Sequence, residues 1–182
     1  MAKSNRSIVG QSKGRPKDDF YPTPPSATLA LLSVEEFAGS IWEPACGDGA
    51  ISRLLEDRGH TVVSTDLVDR GFGTGGVDFL LDHRTRAANI VTNPPYTLGQ
   101  AFVEHALGRT DGKVAMFLKL VFLEGQRRRR LFETSPLARV WVLSERLAVP
   151  RDGASYTHRG MIAFAWFVWE HGHEGPPTLG WI

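Results

Sequence analysis

The stretch of sequence that decides the fold runs Glu43-Pro44-Ala45-Cys46-Gly47-Asp48-Gly49. It follows a short apolar run near 40–45 that predicts a strand, and it leads into a helical pattern over 49–58. Two glycines two positions apart allow the backbone to approach a ligand closely, and the start of the following helix offers free N–H groups. Because an open α/β sheet binds its ligand at such a strand-to-helix turn, the stretch predicts a binding site.

An acidic residue strengthens this prediction. Asp66 lies nineteen residues beyond Gly47, at the end of a second predicted strand near 61–65. A carboxylate in that position can accept hydrogen bonds from both hydroxyls of a ribose. The pair therefore predicts a nucleoside-containing cofactor. It leaves the cofactor's identity open, because Ser52 stands where the third glycine of a pyrophosphate-binding turn would be.

The pattern on either side of this stretch is one of strands alternating with helices. Strands are predicted near 40–45, 61–65, 88–92, 113–119, 139–144 and 162–169. Helices are predicted over 26–37, 49–58, 98–108 and 124–134. Such alternation indicates a parallel sheet covered on both faces. Only the loop 145–161 separates the last two strands, so we expect the sheet to end in an antiparallel hairpin.

The two ends of the predicted domain carry proline-rich segments. Thr23 is a candidate cap for the first helix, with Pro24 and Pro25 suited to its first turn. Residues 175–182 are predicted to form a tail whose Trp181 folds back onto the body. We find no internal repeat and no second domain.

Composition restricts the class of protein. The chain has 182 residues, of which 42% are hydrophobic and 23% charged, as is typical of one soluble domain. The lone Cys46 and the absence of an apolar run near 20 residues favour a cytoplasmic location. The net charge is +1, so any affinity for nucleic acid must come from local clusters. One cluster is a basic arm at 1–17, which we expect to be flexible and separate from a domain at 18–182.

The segment Asn93-Pro94-Pro95-Tyr96 follows the predicted strand near 88–92. Prolines have no N–H, so the segment presents backbone carbonyls and the Asn93 amide oxygen as acceptors with few competing donors. Such a site suits an amino group whose lone pair is delocalised, because acceptors aimed at its hydrogens favour the more nucleophilic form that develops in the transition state. The Tyr96 ring could stack on the planar group that carries this amine.

These motifs resemble those of the NPPY-type, S-adenosylmethionine-dependent amino-methyltransferases, specifically the small adenine-N6 DNA methyltransferases of phages and prophages. The resemblance covers most of the chain from Asp18 to Ile182. It rests on Phe20-Tyr21-Pro22-Thr23-Pro24, Glu43 to Gly49, Asp66, Asp78-Phe79, Asn93 to Tyr96 and the strand-like run Ala163 to Trp169. It implies a single Rossmann-like class I methyltransferase domain, of α/β class, whose cofactor is S-adenosyl-L-methionine.

The resemblance also implies roles for individual residues. Tyr21, Pro22 and Thr23 would flank the methionine moiety, and Asp66 would hold the ribose. The cofactor loop would include Glu43, Pro44, Gly47, Asp48 and Gly49. Asp78 and Phe79 would bracket the adenine ring of the cofactor. Asn93, Pro94, Pro95 and Tyr96 would hold the target amine, with Asn93 also next to the cofactor.

The chain has no obvious target-recognition domain, so target choice could require a partner subunit or a second copy of the chain. The candidates for contact with DNA are the basic arm, the loop Arg146–Arg159 with its Arg151 and Arg159, and the run Arg127, Arg128, Arg129 and Arg130. For the four arginines, salt bridges on a solvated helix face are an equally good interpretation.

Other chemistries have weaker support in the sequence. Cys46 stands in the cofactor loop, where a buried, unreactive thiol is expected. His171-Gly172-His173-Glu174 is more typical of a surface turn than of a metal site, and no metal is expected. Trp141, Trp166 and Trp169 are predicted to lie in the core rather than to stack on bases.

Several functions remain open on the sequence alone. Methylation of adenine N6 in DNA is the first hypothesis. RNA adenine methylation and methylation of a glutamine carboxamide in protein would use the same cofactor and the same Asn93–Tyr96 segment. A non-catalytic, nucleic-acid-binding accessory subunit of a methyltransferase complex is the alternative from another class.

Overall fold

The computed structural model describes residues 19–147 and 162–182. The predicted basic arm and most of the loop 145–161, with Arg151 and Arg159, lie outside these residues. The four helices described are α1 Pro25–Leu32, α2 Ser52–Asp57, α3 Gly99–Leu107 and α4 Gln126–Thr134. The strands described are β1 Ile41–Glu43, β2 Val62–Ser64, β3 Asn89–Thr92, β4 Lys113–Lys119, β5 Leu137–Val142, β6 Phe164–Glu170 and β7 Thr178–Trp181. Short 3₁₀ turns cover Phe79–Leu81 and Leu120–Leu123.

The described strands form one mixed sheet in the order β2-β1-β3-β4-β6-β5-β7. Strands β1 to β4 pair in parallel, whereas β6 runs antiparallel to both β4 and β5. The carboxyl ends of β1, β3 and β4 therefore lie along one edge of the sheet, which we call the carboxyl edge. Lys119 pairs there with Phe164, the first residue of β6. This arrangement confirms the predicted α/β class and the antiparallel hairpin.

The sheet is covered on both faces because its central strands are apolar on both sides. In β4, Met116 belongs to a core packed against α3 and α4, and Phe117 to a core packed against α1 and α2. Trp169 and Trp166 of β6 divide between the same two cores and are fully buried. These two tryptophans are core residues, as predicted. Trp141 of β5 is half-buried, and its Nε1 donates to Glu35 at 2.8 Å.

The first two helices are shorter than predicted, for local reasons. Helix α2 begins at Ser52 rather than near 49, because Gly47 and Gly49 adopt left-handed φ values of 56° and 87° that end any regular helix. Helix α1 ends at Leu32 rather than at Phe37. Thr23 does not cap this helix: Pro24 occupies the N-cap position, and the Thr23 hydroxyl accepts a hydrogen bond from Asn93.

The C-terminal segment differs from the prediction. Residues 178–181 form β7, an edge strand that pairs in parallel with β5, rather than an irregular tail. Gly180 allows this pairing, because a Cβ at that position would collide with the ring of Trp141. Trp181 is 67% exposed and does not fold back onto the core. None of the described helices is long and apolar enough to cross a membrane.

Candidate active site

A pocket of about 500 Å³ opens at the carboxyl edge. Its volume lies in the range of small-molecule and cofactor sites. The predicted site residues that line it are Tyr21, Pro22, Thr23, Glu43, Pro44, Gly47, Asp48, Asp66, Asp78, Phe79, Asn93 and Pro95. Three other predicted residues, Gly49, Pro94 and Tyr96, lie next to these in the chain but not in the lining. The fold thus gathers five separated segments of the chain around one cavity.

The glycine turn and Asp66 are joined directly. Asp66 is 9% exposed, and its Oδ2 accepts from the N–H of Gly47 at 2.8 Å. Its Oδ1 accepts from the N–H of Val68, also at 2.8 Å. A carboxylate can accept about four hydrogen bonds, so each oxygen keeps capacity for one more. Asp66 therefore both fixes the glycine turn and has acceptor capacity left in a residue that lines the pocket.

Phe20 closes one side of the glycine turn. A Cβ at Gly47 would collide with the Phe20 ring, so only glycine fits this contact. The guanidinium of Arg70 lies 4.2 Å from the centre of the same ring, within the range of a cation–π interaction. Both residues line the pocket. Neither was assigned a role from the sequence, because their contact joins segments fifty residues apart and leaves no local signal.

Glu43 serves a structural purpose that the sequence did not reveal. Its side chain is 2% exposed, and one carboxylate oxygen accepts from both the N–H and the hydroxyl of Ser52. The Ser52 hydroxyl also lies 2.7 Å from that of Ser64. Burial raises the pKa of Glu43 well above its usual value. Ser52, in the position of the missing third glycine, thus ties α2 to the ends of β1 and β2.

Asp78 and Phe79 form another wall. The Oδ1 of Asp78 accepts from the N–H of Leu80 at 3.0 Å and so caps the 3₁₀ turn Phe79–Leu81. The Phe79 ring packs edge-on against Trp42, with 5.1 Å between ring centres, and 4.8 Å from Phe102 of α3. This wall is rigid and apolar, with one carboxylate at its start.

The Asn93 side chain has a defined orientation. Its Nδ2 donates to the backbone carbonyl of Tyr21 and to the hydroxyl oxygen of Thr23, both at 3.0 Å. A backbone carbonyl can only accept, so the NH₂ group must point toward the 21–23 segment. The amide oxygen accepts no hydrogen bond from a described backbone N–H, and the Asn93 side chain also contacts the Tyr96 hydroxyl, which lowers the pKa of that hydroxyl against the effect of burial. Asn93 therefore offers an oxygen acceptor in a residue that lines the pocket.

The backbone carbonyls of the two prolines after Asn93 were both expected to be available as acceptors, and one of them is not. The carbonyl of Pro95 accepts from the N–H of Leu98 at 2.8 Å, in the turn that leads into α3. It is therefore less available as an acceptor than predicted. No described backbone N–H donates to the carbonyl of Pro94, whose ring is buried.

Tyr96 lies behind the pocket, against other aromatic rings. Its ring stacks on Tyr21, with 5.6 Å between centres and 28° between planes, and it lies 5.9 Å from Phe164. The Lys119 ammonium lies 4.4 Å from the centre of the Tyr96 ring. Burial raises the pKa of the Tyr96 hydroxyl. The ring predicted to stack on a target is thus in contact with Tyr21, which does line the pocket.

Two of the four arginines of α4 contact other residues of the protein, and the other two have no described acidic partner. Arg128 donates to the carbonyl of Glu124 at 3.0 Å and lies 4.8 Å from the Phe122 ring, and Arg129 pairs with Glu133 at 2.6 Å. Arg127 and Arg130 are exposed and make no ion pair with a described residue. The salt-bridge interpretation therefore holds for Arg129 alone.

Two further predictions concern reactive groups. Cys46 is buried, and burial raises the pKa of its thiol to about 12, so it is not a nucleophile at neutral pH. His171 and Gly172 form the turn after β6, as expected. Among the described residues, no group of three His, Cys, Asp or Glu side chains could hold a metal ion.

Comparison with known proteins gives matches in structure only: no family model and no curated protein matches the sequence. A putative RNA methyltransferase from Pyrococcus horikoshii is similar, with a TM-score of 0.66 at 16% identity over 87% of this chain and 92% of that one. A modification subunit of a putative type I restriction enzyme from Vibrio vulnificus YJ016 gives 0.58 at 15% identity over 90% of this chain. This chain spans only 47% of that subunit. A predicted O-methyltransferase from Agrobacterium tumefaciens gives 0.57 at 14% identity, over 86% and 85% of the two chains.

These similarities define the class of fold. The chain has the Rossmann-like fold of methyltransferases, with a mixed seven-stranded sheet and an antiparallel C-terminal hairpin. The solved structures with this fold include proteins described as acting on different acceptors, so the acceptor must be argued from the site.

Proposed function

We propose that the protein is an S-adenosyl-L-methionine-dependent methyltransferase that methylates an exocyclic amino group, namely N6 of adenine in DNA. The observation that carries the proposal is the orientation of Asn93. Its NH₂ group donates to Tyr21 and Thr23, so that its oxygen is the amide atom left to act as an acceptor in a residue that lines the pocket. An acceptor fixed in this way suits an amine that must lose a proton.

The described residues fit the cofactor. The turn at Gly47 has no room for a side chain, and Asp66 keeps acceptor capacity for the two ribose hydroxyls. Asp78 and Phe79 provide a carboxylate and an apolar wall for the adenine ring. When bound, S-adenosylmethionine supplies an electrophilic methyl group: its S–CH₃ bond breaks as the N–CH₃ bond forms, and the amine releases one proton to solvent.

The protein's contribution is alignment and hydrogen bonding. The Asn93 oxygen accepts one N–H of the target amine and so stabilises the positive charge that develops on nitrogen. The Pro94 carbonyl, to which no described N–H donates, is the candidate acceptor for the second N–H. The stacked Tyr21 and Tyr96 rings support this segment from behind and limit its motion.

DNA is favoured as the acceptor by the surface near the site. Helix α4 starts a few residues beyond Lys119 at the carboxyl edge and carries Arg127 and Arg130, which have no described acidic partner. Unpaired arginines at such a place suit phosphates. A base in duplex DNA would have to be flipped out of the helix to reach the pocket. We further propose that a partner subunit or a second copy of the chain completes target recognition.

The proposal is tested by incubating the protein with cofactor carrying a labelled methyl group and, separately, with DNA, RNA and protein acceptors. We expect label in DNA, at adenine N6 after digestion to nucleosides. Asn93→Ala should lower the rate of labelling by about 10²–10³, and Gln100→Ala, which removes a half-buried amide that donates to Glu104 on α3, should not. Label in RNA or in a glutamine side chain would replace the DNA assignment with one of the alternative acceptors. Cofactor binding with no acceptor labelled would indicate an accessory subunit.

A further inference from the structure

The 3₁₀ turn Leu120–Leu123 exposes apolar side chains beside the candidate active site. Val121 is 57% exposed and Leu123 is 44% exposed. The turn directly follows Lys119, whose ammonium lies on the Tyr96 ring. A Cβ at Gly99, which starts α3 just after the target segment, would lie 3.5 Å from the ring of Phe122. The turn therefore lies next to the residues proposed to hold the target amine.

The exposure of these side chains does not result from a loose loop. Phe122, between them, is buried and packs edge-on against Phe132 of α4 and Phe167 of β6, at 5.8 and 5.5 Å. The N–H of Leu120 donates to the carbonyl of Ala163 at 2.9 Å. The packing of buried Phe122 thus fixes the turn in a conformation in which Val121 and Leu123 are exposed to solvent.

Arg128 strengthens the same turn from the other side. Its Nε donates to the carbonyl of Glu124 at 3.0 Å and its Nη2 to that of Val121 at 3.4 Å, while its guanidinium lies over the Phe122 ring. Two neighbouring apolar side chains held in solvent by these contacts form a small apolar patch of the kind that marks an interaction site.

The charges around the turn indicate the kind of molecule. Arg127 and Arg130 are exposed, have no described acidic partner and lie three residues apart on α4, so they share one side of the helix. The exposed Glu124, between the turn and α4, is the one acidic residue in the stretch 120–130. An apolar pair next to free cations matches DNA in which a base has been displaced, because unstacked base faces are apolar and the flanking phosphates are anionic.

We propose that Val121 and Leu123 contact the bases exposed in duplex DNA when the target adenine leaves the helix, and so stabilise the displaced state. This inference rests on the proposed function. It assigns to the 120–123 turn a task separate from catalysis and cofactor binding. Single-stranded DNA, whose bases are already unpaired, has much less need of this contact.

The test compares Val121→Ser/Leu123→Ser with Val34→Ser, which removes an apolar side chain that is 40% exposed. Val34 precedes Glu35, which pairs with Lys113 at the opposite edge of the sheet. Methylation rates are measured on a duplex that the wild type methylates, on the same duplex with a mismatch opposite the target adenine, and on the single strand. Thermal unfolding checks that each variant is folded.

We expect the double variant to raise KM for the matched duplex about tenfold, because neither serine can replace the apolar surface that would cover the exposed bases. KM of the double variant for the single strand should change less than about twofold, and the change in KM for the mismatched duplex should lie between those for the matched duplex and the single strand. Val34→Ser should have the same KM as the wild type on all three substrates. Equal losses on duplex and single strand, or no loss on either, would overturn the inference while leaving the proposed function intact. A wild-type protein that methylates no DNA would overturn both.

Discussion

The most direct perturbation of the proposed cofactor site is Asp66→Asn, which keeps the size of the side chain and removes its charge. In the wild type, each carboxylate oxygen already accepts one backbone N–H, from Gly47 and from Val68, at 2.8 Å. The two remaining positions are those proposed for the ribose hydroxyls. In the variant, one oxygen becomes an NH₂ group, which cannot accept from a backbone N–H or from a hydroxyl.

The loss is therefore one charge-assisted hydrogen bond to the ligand and a weakened second one, in a side chain that is largely shielded from solvent. A hydrogen bond to a charged group contributes about 1.5–3 kcal/mol, so we expect the cofactor to bind about 2 kcal/mol more weakly. This corresponds to a Kd about 30-fold higher. Calorimetric titration with S-adenosylmethionine and with its demethylated product measures the change.

Asp69→Asn is the matched control. Asp69 also accepts from the N–H two residues ahead, that of Gly71, at 2.9 Å, but it is exposed and does not line the pocket. Asp66→Asn loses one of its two backbone hydrogen bonds, whereas Asp69→Asn can keep its single one through the amide oxygen, and thermal unfolding measures how far each change affects stability. The reasoning would be refuted if Asp66→Asn bound the cofactor within about twofold of the wild type, or if Asp69→Asn weakened binding equally.

Three further predictions concern the target segment and DNA. Asn93→Ala should lower single-turnover methylation by about 10²–10³ while calorimetry shows nearly unchanged cofactor affinity; equal losses in both would make the residue structural. Thr23→Val removes one of the two acceptors that orient the Asn93 amide and should lower kcat about tenfold, whereas Thr23→Ser should restore it; a serine variant as slow as the valine variant would count against this role. Replacing Arg127 and Arg130 by Gln should reduce the slope of the logarithm of the DNA-binding constant against log salt by about 0.9 for each phosphate that is no longer neutralised. Arg129→Gln should change this slope less because Arg129 is paired with Glu133. Equal effects would favour the interpretation in which all four arginines lie on a solvated helix face without contacting DNA.

Much of the lining of the pocket could be predicted because the pocket opens at the ends of parallel strands. The glycine turn after β1 and Asp66 after β2 had to be neighbours once both strands were recognised, since β1 and β2 are adjacent and parallel. The Arg129–Glu133 pair follows from helical spacing in the same way. Such inferences succeed where local pattern and sheet topology together fix a position in space.

Other features depend on contacts between distant segments. The contact of Phe20 with Gly47 and Arg70 joins three separate loops, and nothing in any of the loops indicates it. The sequence shows that Tyr96 ends the proposed target segment, but not that its ring stacks on Tyr21. Strand β7 escaped prediction because its short, glycine-containing run is stabilised by pairing with β5 and not by its own pattern.

The segment 19–23 explains how the two halves of the site can act together. Phe20 closes the turn at Gly47, and the carbonyl of Tyr21 orients the amide of Asn93. Asp19 accepts from the N–H of Thr97 at 3.3 Å, which ties the same segment to the far end of the target motif. Methyl transfer requires the donor and the acceptor to be aligned to a fraction of an ångström. The segment 19–23 contacts both the proposed cofactor turn and the proposed target segment, so it fixes the two walls of the pocket relative to each other as the proposed reaction requires.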